Sequence, residues 1–182
     1  MLKPTLLVAI AALLLSLPVS AAPEDDSHVP TDLPASLTTD DVLAMMRKLP
    51  SHETGKDTYR WDKVGQANRI ASAIAGAASS RDDAGDLVVY AVFESNLRIS
   101  AVGDGGKSFG AFQLSSKRAP VEVATVPEKA AAVWLSLAAQ SRKDCASLPE
   151  DDRLAELASG SCNAARVLAR RRAALRRRAV AE

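Results

Sequence analysis

The chain has 182 residues, with 23 Lys and Arg against 22 Asp and Glu, and its hydrophobic fraction of 47% includes only 4% aromatic residues. So even a charge balance offers no general attraction to nucleic acid, which is therefore not the expected partner. The length suits one ordinary domain behind a short leader and hardly two.

Lys3, an apolar run from Leu6 through Leu17, Pro18 and the small residues Val19 to Ala22 follow the order of a secretory signal peptide, cleaved after Ala21 or Ala22. The run is shorter than the roughly 20 residues that span a bilayer, and Glu24, Asp25 and Asp26 follow it closely, so a permanent anchor is the weaker reading. No cysteine follows the run closely enough to take a lipid. Loss of Lys3 with residues 1–21 leaves 22 basic against 22 acidic residues. Residues 22–36 carry Pro23, Pro30 and Pro34 among acidic and small residues and read as a flexible linker, leaving 37–182 as the single domain of an exported, periplasmic or secreted protein.

Thr38 and Thr39 precede Asp40, Val42, Leu43, Met45, Met46 and Leu49, the pattern of a capped helix stopped by Pro50. Residues 51–60 are polar loop. From about Trp61 to Ala78 the apolar positions Val64, Ala67, Ile70, Ala71 and Ile74 recur with helical spacing. A further helix is predicted from about Asp82 to Glu94, with acidic residues in its first turn, although its β-branched residues would also permit a strand. The glycines at 103, 105, 106 and 110 then predict a short hairpin or a lobe of loops. Pro127 opens a helix through Val133, Trp134, Leu137 and Ala138, and two more follow at about 149–158 and 163–179. The expectation is a mainly helical fold with a small Gly-rich lobe.

Cys145 and Cys162 both lie in the exported part, where a disulfide between them is the first expectation and two buried free thiols the alternative. His28 and His52 lie far from both cysteines in sequence, which gives little support to a metal site or a His-assisted nucleophile. No metal and no cofactor are expected.

Val92-Phe93-Glu94-Ser95-Asn96-Leu97 sets one carboxylate at the end of an otherwise apolar helix. Partial desolvation there would favour the protonated acid, whereas an exposed glutamate in the last turn would have no such role. The segment that follows, from Gly103-Asp104-Gly105-Gly106 to Gly110-Ala111-Phe112-Gln113, adds a flexible turn, a second carboxylate and a glutamine.

These residues resemble the soluble lytic transglycosylases and goose-type lysozymes, whose pattern is a Glu-Ser pair at a helix end followed by Gly-x-x-Gly-x-x-Gln. The chain matches it at Glu94, Ser95, Gly110 and Gln113, with Lys107 in place of the first glycine. Further on, Cys162-Asn163-Ala164-Ala165 stands where the family carries Tyr-Asn-Ala-Gly, so Asn163 and Ala164 match and the tyrosine is absent. The resemblance covers about residues 84–170. It implies a lysozyme-like fold, peptidoglycan glycan strands as partner and substrate, and cleavage of the β-1,4 bond between N-acetylmuramic acid and N-acetylglucosamine with Glu94 as acid and then base. Ser95, Phe112, Gln113 and Asn163 would contact substrate or support Glu94, with Phe112 and Phe109 equally suited to core packing.

Asp104 separates two outcomes: as a second carboxylate it would permit lysozyme-type hydrolysis, and as part of an Asp-Gly-Gly turn it has no chemical role. A non-catalytic wall-binding scaffold of the same fold is a further alternative. Arg166, Arg170, Arg171, Arg172, Arg176, Arg177 and Arg178 make the last helix basic, fit either for an acidic partner or anionic surface or for plain solvation.

Overall fold

The computed structural model describes residues 36–50 and 64–181; the expected leader and nearly all of the linker, with Trp61 and both histidines, lie outside the described residues. The described chain is mainly helical. Helices α1 (Thr39–Arg47), α2 (Val64–Ala77) and α3 (Arg81–Ser95) precede strands β1 (Val102–Gly103), β2 (Ser108–Phe109) and β3 (Leu114–Ser115). Helices α4 (Val121–Ala124), α5 (Pro127–Asp144), α6 (Ala155–Ser159) and α7 (Arg166–Val180) follow, with a turn of 3-10 helix at Glu150–Asp152.

Helix α1 starts where the threonines predict. The Asp41 amide donates to the Thr38 hydroxyl at 3.2 Å and the Thr38 amide donates to the Asp41 carboxylate at 2.9 Å, a reciprocal cap that satisfies two otherwise orphaned donors. The β-branched run of α3 is helical because Ser80 caps it and Asp82 and Asp83 fill its first turn. Residues 84–92 are all buried, so α3 is the central helix, enclosed by α1, α2, α5 and α7.

Helix α7 runs antiparallel to α3. Gly85 permits the close approach, since a Cβ there would lie 2.6 Å from Val180 Cγ1 and 3.0 Å from Arg176 Cγ. With residue 85 against 176 and 180, residue 172 falls beside Tyr90 and Glu94. This register positions the site.

The Gly-rich segment forms an antiparallel sheet in the order β1-β2-β3, pairing Val102 with Phe109 and Phe109 with Leu114. Asp104, Gly105 and Gly106 all have positive φ in its first turn. Three details differ from the sequence reading. Helix α4 is too short for any periodic signal; the expected helix at 149–158 breaks into a 3-10 turn and α6; and α7 begins at Arg166, because Ala165 is left-handed with φ +54° and cannot continue a helix.

Cys145, at the end of α5, is disulfide-bonded to Cys162. The bond closes a loop with a sequence separation of 17 that contains α6. Replacing both cysteines with serine is expected to lower stability by about 3 kcal/mol, the loop-closure value for this length, read from urea unfolding midpoints. No helix of the described residues is long and apolar enough to cross a membrane.

Candidate active site

The chain leaves α3 abruptly. Asn96 and Leu97 are both left-handed, with φ +53° and +56°, and the Leu97 amide returns to the Ala91 carbonyl at 2.9 Å. The sharp exit leaves Glu94 on the last turn, facing a cleft of about 600 Å³. The Gly-rich lobe lines one part of the cleft with Gly103, Asp104, Ser108, Phe112 and Gln113, and residues 157–160 line another.

Four residues singled out in the sequence therefore share one cleft: Glu94, Asp104, Phe112 and Gln113. Gln113 braces the lobe, its amide donating to the Gly110 carbonyl at 2.9 Å and more weakly to that of Ala101 at 3.4 Å. The Gly-x-x-Gln spacing thus has a local cause, because Gly110 and Gln113 are hydrogen-bonded to one another. Asp104 accepts a hydrogen bond from the Ser108 hydroxyl at 2.5 Å. Phe112 is a core residue that also forms cleft wall, whereas Phe109 packs against the core and does not line the cleft.

Ser95 and Asn163 are not among the lining residues. The Ser95 hydroxyl is buried and donates back to the Ala91 carbonyl at 2.9 Å, within the last turn of α3. Asn163 is exposed in the turn before α7. In place of these two, the cleft brings Tyr90, Lys117, Arg118, Trp134 and Arg172 to Glu94. Tyr90 was not singled out in the sequence, although it lies one helical turn before Glu94, a spacing that places the two side chains on one face of the helix. Arg172 carries no distinguishing mark among the arginines of α7.

Arg172 is the ion-pair partner of Glu94; their side chains are 10% and 29% exposed. Its other terminal nitrogen donates to the Tyr90 hydroxyl at 2.7 Å, and its guanidinium carbon lies 4.2 Å from the Tyr90 ring centroid. The Tyr90 ring in turn meets Trp134 edge-on, with centroids 4.6 Å apart. An adjacent guanidinium favours the ionised carboxylate, opposite in sign to the desolvation that the apolar helix implies.

The other arginines of α7 are largely engaged within the chain. Arg166 and Arg170 both bind the fully buried Asp152, Arg177 binds Asp151, and Arg176 lies 3.6 to 4.0 Å from Glu150, Asp86 and Asp82. The hydrogen bonds from Arg170 and Arg166 hold the Asp152 carboxyl down to about 2. These pairs fasten α7 to its neighbours and reduce the charge it presents outward.

Asp86 behaves oppositely. Burial inside α3 pushes its carboxyl up to about 6, against the pull of Arg176 and of Arg142, which donates to it at 2.6 Å. The folded state therefore binds more protons than the unfolded chain between pH 3.8 and about 6, and stability falls as pH rises through that window. The loss is about 3 kcal/mol at most, and Asp86→Asn is expected to flatten the unfolding free energy between pH 4 and 7. A wild-type curve as flat as the variant's would refute this account.

Among the described residues, no group of three or more His, Cys, Asp or Glu is placed to hold a metal ion. Compared with protein-family models, curated proteins and solved structures, the chain has no match.

Proposed function

We propose that the chain is an exported, lysozyme-like lytic transglycosylase that cleaves the β-1,4 bond between N-acetylmuramic acid and N-acetylglucosamine in peptidoglycan. The observation that carries this reading is the convergence of Glu94, Gln113 and Asp104 on one open cleft of about 600 Å³, with Tyr90, Phe112 and Trp134 among its lining residues. The disulfide suits an oxidising compartment outside the cytoplasm.

In the first step the protonated Glu94 carboxyl gives its proton to the glycosidic oxygen as the bond from the anomeric carbon breaks. The resulting Glu94 carboxylate then takes the proton of the muramyl 6-hydroxyl, whose oxygen bonds to the anomeric carbon and closes a 1,6-anhydro ring. Glu94 ends protonated, and no water is consumed. Gln113 and Gly110 hold the lobe against which the strand lies.

Hydrolysis is the second reading, favoured by one observation: Asp104 lines the same cleft as Glu94. Mass spectrometry of material released from purified peptidoglycan separates the two. Products ending in 1,6-anhydro-muramic acid support transglycosylation. Reducing ends make the protein a lysozyme, and the absence of any product overturns both.

A further inference from the structure

We propose that Arg172 is the positioning residue of Glu94, holding its carboxylate at the edge of the cleft and stabilising the charge that appears there when the proton leaves. The inference deepens the transglycosylase reading and rests on it for its role in catalysis.

The placement of Arg172 is over-determined. Its guanidinium stacks on the Tyr90 ring, donates to the Tyr90 hydroxyl at 2.7 Å and pairs with Glu94, and its side chain is only 10% exposed. Tyr90 is itself buried and braced by Trp134, so the cation rests on a rigid platform. At the far end of the two helices, Gly85 lets Val180 and Arg176 close onto α3, which fixes the register that delivers residue 172. Two glutamate rotamers are no longer equivalent under such a constraint, because one of them meets a fixed fork of donors.

In the acid step Glu94 changes from neutral to negative, and a cation already in place stabilises that product without reorganising. The same cation makes the protonated starting form scarcer, so Arg172 moves the working range of Glu94 toward acid. The other charged groups around Glu94 are Asp104 on the Gly-rich turn, Lys117 and Arg118 after β3, and Arg171 on α7, which lines a smaller groove of about 260 Å³ that Glu94 also borders. Arg118 is paired with Glu156 at 3.0 Å. Arg172 is the one whose ion pair with Glu94 is present in the structure.

Carbon-13 NMR of the full chain follows the Glu94 carboxyl directly, assigned by its loss in Glu94→Gln. Arg172→Gln is expected to raise the titration midpoint by about one pH unit or more, and Arg172→Lys to return it most of the way. The alkaline limb of product release is expected to move with it. An unchanged midpoint in folded Arg172→Gln overturns the proposal, whether or not the wild type releases products. A midpoint that moves in a wild-type background releasing nothing from peptidoglycan removes the transglycosylase reading alone and supports the positioning of Glu94. If Arg172→Gln loses its helical circular dichroism, Tyr90→Phe takes its place: it deletes one acceptor of the guanidinium and keeps the ring. A smaller rise in the midpoint then supports the proposal and no rise overturns it.

Discussion

Glu94→Gln is expected to reduce product release from peptidoglycan by about a hundredfold to ten-thousandfold, the range over which a positioned acid-base group acts. The amide keeps the size and shape of the side chain, and its carbonyl can still accept a hydrogen bond from Arg172. Arg172 also keeps the Tyr90 ring and hydroxyl. Stability is therefore expected to fall by no more than about 2 kcal/mol, the ordinary consequence of weakening one charge-assisted hydrogen bond. What the amide cannot do is give up and regain a proton on the path from glycosidic oxygen to 6-hydroxyl. The measurement is the rate of anhydro-muropeptide release by wild type and variant at equal helical content, and a fully active variant would sink the assignment of Glu94.

Gly110→Ala is expected to produce the largest loss of stability of any conservative change in the lobe. Gly110 has φ +77°, a conformation that costs an alanine about 1–2 kcal/mol. A Cβ would also lie 1.8 Å from the Ala124 carbonyl oxygen and 2.7 Å from its carbon, both backbone atoms of α4 that cannot rotate aside. Forcing α4 away adds about 1–3 kcal/mol, for a total of about 2–5 kcal/mol. Gly105→Ala is the internal control. Its φ is +63°, yet nothing lies within 4 Å of the added carbon, so it should show the conformational cost alone. Equal unfolding midpoints for the two variants would show that contact with α4 is unimportant.

Local signals explain what was legible in the sequence. The Thr38 cap, the acidic first turn of α3, Pro127 at the start of α5 and the glycines of the sheet each act over a few residues, and each element formed where its signal stood. Helix α4 gives no such signal in four residues, and the left-handed Ala165 that delays α7 is not a residue type that announces that conformation. The cysteine pair was legible from its spacing and from the oxidising compartment that the expected leader implies. The candidate site divides in the same way. Glu94, Asp104, Phe112 and Gln113 lie within 20 residues of one another in the chain and line one cleft, whereas Ser95 and Asn163 turn elsewhere. Trp134 and Arg172 reach the cleft from distant helices, through packing that one-dimensional spacing does not encode.

The antiparallel return of α7 along α3 bears on the order in which the molecule assembles. Arg172 meets Glu94 across 78 residues and Tyr90 across 82, so these contacts require closing most of the chain's described length. Such closures come late and slowly compared with the turns inside each helix. The bond between Cys145 and Cys162 shortens the search, because it tethers the start of α7 to the end of α5, a helix already packed on α3. Refolding of the oxidised chain should accordingly complete the cleft faster than refolding of the reduced chain, with the helical signal recovered before the Tyr90 environment in both.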